Sequence, residues 1–153
     1  MLKTKIPPPV YLLGCAGLMW WLNQYFPIYQ WLQTPWNKLG LVLIGTALAC
    51  DFWSLFLFYR AKTTPNPMRP SGTAHLVTSG LYQYSRNPMY VGLTVMLFGW
   101  GMYLGSVSPF ALVPVFVWVM TKQQIEPEEV ALTQKFGKAY QEYQQRVPRW
   151  IAF

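Results

Sequence analysis

Long apolar runs separated by short polar punctuation dominate this chain. Four stand out: Val10 to Phe26, Leu39 to Tyr59, Met89 to Val107, and Pro109 to about Ile125. A membrane-spanning helix needs about 17–25 mostly apolar residues. The second run, with Asp51 as its only charge, and the third meet that requirement directly. The first carries Asn23 and Gln24 near its end. The fourth is short and contains Pro114, and proline kinks or breaks a helix. Gly105-Ser-Val-Ser-Pro109 predicts a tight turn that makes the last two runs a helical hairpin. The pattern predicts one all-α integral membrane domain over 1–153, with about four transmembrane helices.

Two segments break this pattern. Residues 61–88 hold Pro65, Pro67, Pro70 and Gly72, which exclude a continuous helix. Leu76, Val77, Leu81, Tyr82 and Tyr84 supply apolar anchors, so the loop is expected to be ordered. After the fourth run, Glu126-Pro127-Glu128-Glu129 puts proline at a first helical position with acids in the first turn. Leu132, Phe136, Tyr140 and Tyr143 then recur on one face, and Val147-Pro148 ends the pattern. The spacing predicts a cytoplasmic amphipathic helix over 127–146. Such a helix either lies on the membrane surface or packs back on the middle loop and closes a pocket.

Composition supports the membrane reading. Of the 153 residues, 53% are hydrophobic and 11% charged, against about 25% charged in soluble domains. The net charge is +7. Its basic residues flank the apolar runs and form no run interleaved with aromatics, which argues against nucleic-acid binding. Lys3 and Lys5 precede the first run. Arg60, Lys62, Arg69 and Arg86 lie between the second and third, and Lys122, Lys135, Lys138, Arg146 and Arg149 follow. The other two loops carry only Lys38. Lysine and arginine collect on the cytoplasmic side, so both termini and the middle loop are expected there. No small-residue cleavage site follows the N-terminal apolar run, which reads as a retained first span. Cys15 and Cys50 sit inside apolar runs, where they either meet as a pair or, on the plainer reading, are expected as two small buried residues.

Little conventional catalytic chemistry is available. His75 is the only histidine, and the four glutamates lie in the tail, so no metal set exists. There is no nucleophile–base pair, G-x-G-x-x-G or P-loop. Two polar clusters remain at the cytoplasmic edge: Leu76 to Gly92, and Glu128-Glu129. Their plain readings are loop punctuation before a helix and compensation of a helix dipole. Asp51 costs about 2.5–3.5 kcal/mol at mid-span, so it is expected to face the bundle interior. There it either bonds a neighbouring helix or serves as a substrate-pocket acid.

The two clusters together resemble a known family. Leu-Val-Thr-Ser-Gly-x-Tyr-x-x-x-Arg-Asn-Pro-x-Tyr-x-Gly is similar to a signature of the isoprenylcysteine carboxyl methyltransferase and phospholipid methyltransferase superfamily. Glu128 to Arg149, Glu-Glu-x-x-Leu-x-x-x-Phe-Gly-x-x-Tyr-x-x-Tyr-x-x-Arg-Val-Pro-Arg, resembles its second signature. The resemblance covers about Arg60 to Trp150. It implies a membrane enzyme that uses S-adenosylmethionine, held in a cytoplasmic pocket between the two blocks. Carried over by position, Leu76 and Val77 supply backbone contacts, with His75 beside them. Tyr82, Asn87, Pro88, Met89 and Tyr90 line the pocket. Glu128 is the acidic contact, next to Glu129. A lipophilic substrate enters from the bilayer.

Two departures bear on the acceptor. Prenylcysteine enzymes of this superfamily read Arg-His-Pro where this chain has Arg86-Asn87-Pro88. They also carry a substrate-contacting arginine four residues before the acidic contact, where this chain has Gln124; Lys122 is two residues away. Arg86, Asp51 and Gln124 are the candidates for a catalytic role. Competing readings are a membrane reductase using a nicotinamide cofactor and a non-enzymatic membrane scaffold or transport accessory. The sequence leaves the acceptor and the oligomeric state open.

Overall fold

The first apolar run begins behind three prolines, which suit a helix start because the missing N–H has no intrahelical partner there. In the computed structural model, which describes residues 6–61 and 76–151, this run is helix α1 (Pro8–Tyr25). A short 3-10 turn, Trp36–Lys38, leads into α2 (Leu39–Arg60). Helix α3 (Pro88–Leu104) also starts on proline. A second 3-10 turn, Ser108–Ala111, leads to α4 (Leu112–Met120). A π-helical turn, Thr121–Ile125, then joins α4 to α5 (Glu126–Phe136), and α6 (Lys138–Arg146) follows. The described residues are all-helical, with one isolated bridge between Gln30 and Ser106. Lys3, Lys5 and the loop residues 62–75, including His75, lie outside the described residues.

Among the described residues one helix is long and apolar enough to cross a membrane by length and composition: Trp36–Arg60, 25 residues with mean hydropathy 2.0. The 22 residues of α2 alone span about 33 Å, against about 30 Å of bilayer hydrocarbon. Phe52, Trp53, Phe56 and Tyr59 on this helix are exposed. The run expected as a span over 89–107 is the shorter Pro88–Leu104. The run expected over 109–125 is divided among a 3-10 turn, α4 and a π-turn. Pro114 falls in the first turn of α4, where its missing N–H costs least.

The turn after α3 organises the opposite end of the bundle. Gly105 accepts the backbone N–H groups of Trp31 at 3.0 Å and Leu32 at 3.2 Å, and Val107 donates to the Tyr29 carbonyl at 3.0 Å. Ser106 Oγ donates to Asn23 Oδ1 at 2.6 Å, which explains a polar residue near the end of α1. Helix α2 packs chiefly on α3. Gly40 and Gly99 permit this, because a Cβ on either would strike the other's carbonyl oxygen.

Two apolar clusters carry the packing. Met19, Leu97, Phe116, Met120 and Ile125 are almost fully buried together with Tyr90, uniting α1, α3, α4 and the π-turn. Tyr140, Tyr143 and Val147 form the second cluster, with Leu76, Leu132 and Phe136 against it. The periodic face read from the tail therefore closes on the middle loop, the second of the two arrangements expected for it. The tail is two helices rather than one over 127–146. At Gly137 the backbone turns to φ +53° and ψ −124°, which glycine tolerates and other residues resist.

Candidate functional site

The loop before α3 is shaped by local bonds. The Asn87 N–H donates to Ser85 Oγ at 3.0 Å, and Pro88 starts the helix. The N–H groups of Tyr90 and Val91 return to the Asn87 carbonyl at 3.0 and 3.1 Å. Tyr90 consequently sits in the first turn of α3 and faces the core. Its Oη donates to Glu128 Oε1 at 2.5 Å, joining the two polar clusters across 38 residues. Upstream, the 3-10 turn Gly80–Gln83 sets the Tyr82 ring edge-on to Phe58 of α2, with centroids 5.3 Å apart. Tyr143 Oη donates to the Tyr82 carbonyl at 2.6 Å and ties the tail to that turn.

Glu128 reaches Tyr90 through the π-turn. One extra residue in a helical turn rotates the helix that follows by about 100°. Ile125, which precedes α5, is itself helical, at φ −69° and ψ −49°. The acids at 126, 128 and 129 therefore follow a continuing rod. No open helix N-terminus is there for them to compensate, which removes the plain dipole reading.

The two adjacent glutamates have different surroundings. Burial pushes the Glu128 carboxyl up to about 8; the bond from Tyr90 works against this, and the Glu129 charge adds to it. Glu129 is held by two arginines. Arg149 meets it with Nε at 3.0 Å and Nη2 at 2.7 Å, and Arg86 Nη1 lies 2.9 Å away. Arg86 and Glu129 are both about 10% exposed, so this ion pair is largely dry. The strap after α6 adds backbone bonds: Arg86 N–H donates to the Pro148 carbonyl at 2.9 Å, and Asn87 Nδ2 to the Arg149 carbonyl at 2.9 Å. Trp150 Nε1 reaches Thr121 Oγ1 at 3.2 Å.

Asp51 lies at the α2–α3 seam. Its Oδ1 is buried and has no hydrogen-bond partner among the described residues. Gly92 leaves it room, since a Cβ there would overlap the carboxylate. The Asp51 charge also acts on Tyr82. Burial lifts the Tyr82 hydroxyl well above the usual phenol range, and Tyr143, Glu128 and Asp51 add to the lift in that order.

The structure thus brings Asp51, Tyr82, Tyr90 and Glu128 into one neighbourhood. Leu76 packs on the second cluster, Val77 and Pro88 are buried, and Met89 is half-buried beside them. His75 lies outside the described residues. Asn87, Glu129 and Arg86 are engaged in holding the strap. Gln124, fully buried in the π-turn, donates from Nε2 to the Ile6 carbonyl at 2.6 Å, while its Oε1 has no partner among the described residues. Sequence reasoning missed Arg149 and Trp150 as anchors of this site. The Arg-Val-Pro-Arg run contains the first, but nothing in its spacing names Glu129 as its partner. A surface cleft of about 480 Å³, lined by Glu126, Glu129, Thr133, Gln144 and Arg149 among others, borders the ion cluster. Tyr82, Tyr90 and Glu128 do not line it.

Residues 27–139 match the phospholipid methyltransferase family. The protein-S-isoprenylcysteine O-methyltransferase of Schizosaccharomyces pombe is 38% identical over 130 residues, which cover 85% of this chain and 52% of that protein. The human protein of the same name is 36% identical over 83 residues, 54% of this chain and 29% of its own. An uncharacterized protein of Haemophilus influenzae is 38% identical over 63 residues, 41% of this chain and its own entire length. The chain therefore spans about half the length, or less, of these named methyltransferases. No solved structure matches it.

Proposed function

The chain belongs to the phospholipid methyltransferase family, and from that premise we propose that it is an integral membrane methyltransferase that uses S-adenosylmethionine to methylate a small lipophilic acceptor. The observation that carries this reading is the Tyr90–Glu128 hydrogen bond, which joins the two signature blocks in a part-buried polar spot. A buried carboxyl held near neutrality, with two phenol rings beside it, suits a ligand that brings positive charge.

In this reading Glu128 takes the ammonium or ribose of the donor through charge-assisted hydrogen bonds. Tyr82 and Tyr90 offer ring faces, with cation–π contributions of about 0.5–2 kcal/mol. Leu76 and Val77 provide backbone contacts beside His75, and Asn87, Pro88 and Met89 close the wall. Glu129, Arg86 and Arg149 keep that wall in place. The donor supplies an activated methyl group, and the protein supplies alignment and exclusion of water.

The membrane reading has α1, α2, α3 and the rod over residues 109–125 as four crossings, with both termini and the 61–88 loop cytoplasmic. The exposed apolar side chains of α2 support it, because contiguous apolar surface of that kind belongs in lipid. The acceptor then reaches the site from the bilayer between helices.

Calorimetry on detergent-purified protein tests the reading. S-adenosylmethionine and S-adenosylhomocysteine should both release binding heat, and NADPH should not. Silence with the first two would remove the methyltransferase reading, and heat with NADPH alone would establish the reductase in its place.

A further inference from the structure

The π-turn that aims Glu128 at Tyr90 has no cause in its own residues. Thr-Lys-Gln-Gln-Ile suits ordinary helix, yet the Glu126 N–H returns to the Thr121 carbonyl, five residues back instead of four. So rare a turn needs support from outside the helix. Two side chains supply it, one near each end. Thr121 Oγ1 donates to the Val117 carbonyl at 2.7 Å and accepts Trp150 Nε1 at 3.2 Å, which ties the start of the turn to the strap. Gln124 Nε2 donates to the Ile6 carbonyl at 2.6 Å, which ties its end to the chain ahead of α1 across 118 residues.

Gln124 is a costly choice for a core position. It is fully buried, while Lys122 and Gln123 on the same turn are exposed. A buried amide is unfavourable beside an apolar side chain unless its groups are paired, and Gln124 Oε1 has no partner among the described residues. The effect of its one bond is geometric. It fixes which way residue 124 faces, and with it the phase of the helix that follows.

Helix geometry shows what that phase decides. If residues 121–125 closed as α-helix, each later residue would move into the place of its successor, about 100° round and about 1.5 Å along. Pro127 would then face Tyr90, and Glu128 would stand where Glu129 now meets Arg86 and Arg149. We propose that Gln124 is a positioning residue: by pinning the π-turn to the chain ahead of α1, it sets the phase that gives Glu128 to Tyr90 and to the donor. The donor's part in this rests on the methyltransferase reading, and the phase itself does not.

The test uses the full chain in detergent. S-adenosylhomocysteine binding is measured by calorimetry, and unfolding without ligand is followed against pH. Gln124→Met keeps the length of the side chain and removes the amide, and it should weaken binding at least tenfold. Deleting the exposed Gln123 from the Gln124→Met chain takes out the extra residue, so that plain α-helix through the turn returns Glu128 to Tyr90. That shortened chain should bind within threefold of the wild type. Shortening would not rescue a residue whose role was packing alone. Without ligand, the wild type should lose stability as pH rises from about 4.5 to about 8, because Glu128 holds its proton in the folded state. Gln124→Met should lack this slope, since its Glu128 lies between arginines, and the shortened chain should regain it. Binding by Gln124→Met within threefold of the wild type, the same slope in both, or a shortened chain that fails to fold or to bind would overturn the proposal. If Gln124→Met alone does not fold, the shortened chain decides. A wild-type protein that binds no S-adenosylhomocysteine would remove the methyltransferase reading, and the slopes would then decide the phase by themselves.

Discussion

Arg149 grips Glu129 with two arms of its guanidinium, Nε at 3.0 Å and Nη2 at 2.7 Å, across twenty residues of chain. Arg86 approaches the same carboxylate at 2.9 Å. One buried acid therefore fastens the strap after α6 to the loop before α3. Bidentate guanidinium–carboxylate pairs add geometric definition to their charge, which suits a part that holds others in place.

This arrangement ranks two substitutions. Arg86→Ala should lower unfolding stability more than Arg149→Ala does, because it removes the drier of the two positive charges on Glu129, which then keeps only the more exposed Arg149. Arg149→Ala should cost less, about 1 kcal/mol or below, because Arg149 is more exposed and solvent screens its pair. Arg149→Lys should recover little, since an ammonium cannot form the fork. Thermal or denaturant unfolding in detergent measures all three, and equal losses for Arg86→Ala and Arg149→Ala would contradict the ranking.

Tyr90→Phe removes the hydroxyl that bonds Glu128 while keeping the ring. The lost bond is to a group that is charged when it holds a cation, worth about 1.5–3 kcal/mol, so S-adenosylhomocysteine affinity should fall about 10- to 100-fold. That bond favours ionisation of Glu128, and its loss should push the carboxyl still higher. The affinity change should accordingly be larger at pH 7 than at pH 9, as calorimetry at both values will report.

The raised carboxyl of Glu128 gives two pH effects. Its ordinary value is 4.5 and its folded value about 8. The unfolded chain therefore binds fewer protons between those values, and the unliganded protein should lose stability as pH rises from about 4.5 to about 8. A cationic ligand reverses the preference and expels the proton. Binding below pH 8 should release up to one proton and tighten as pH rises, levelling off above 8. Calorimetry in buffers of different ionisation enthalpy counts that proton, and Glu128→Gln should abolish the release.

Gly92 and Asp51 should behave as a coupled pair. Gly92→Ala places a methyl group where the Asp51 carboxylate lies, a clash expected to cost about 1–3 kcal/mol. In an Asp51→Ala background the same change should cost little. A double-mutant cycle on unfolding stability should therefore show a coupling of about 1 kcal/mol or more, and additivity would place the two residues apart.

The apolar runs made the helical architecture legible, because a helix that buries or shields a face must repeat its apolar residues at fixed spacing. The same periodicity brought Leu132, Phe136, Tyr140 and Tyr143 together correctly. The helices begin at Pro8 and Pro88, one or two residues before the starts of the apolar runs, because proline suits a first helical position. The family was legible too, because the motifs of the two blocks belong to the family that residues 27–139 match. Other features left no local signal. The π-turn over Thr121–Ile125 has the composition of ordinary helix. Gly137 stood inside a motif and still divided the tail, because its positive φ is a backbone property that composition does not display.

What the sequence determined by itself was the helical class, the family and the residue types available for chemistry, all written in local spacing. Tertiary structure alone decided how adjacent acids divide their roles. Glu128 and Glu129 are chemically identical neighbours, yet one bonds Tyr90 in a part-buried spot and the other is gripped by Arg86 and Arg149. The difference is about 100° of helical rotation, which only the π-turn and the packing of α5 set.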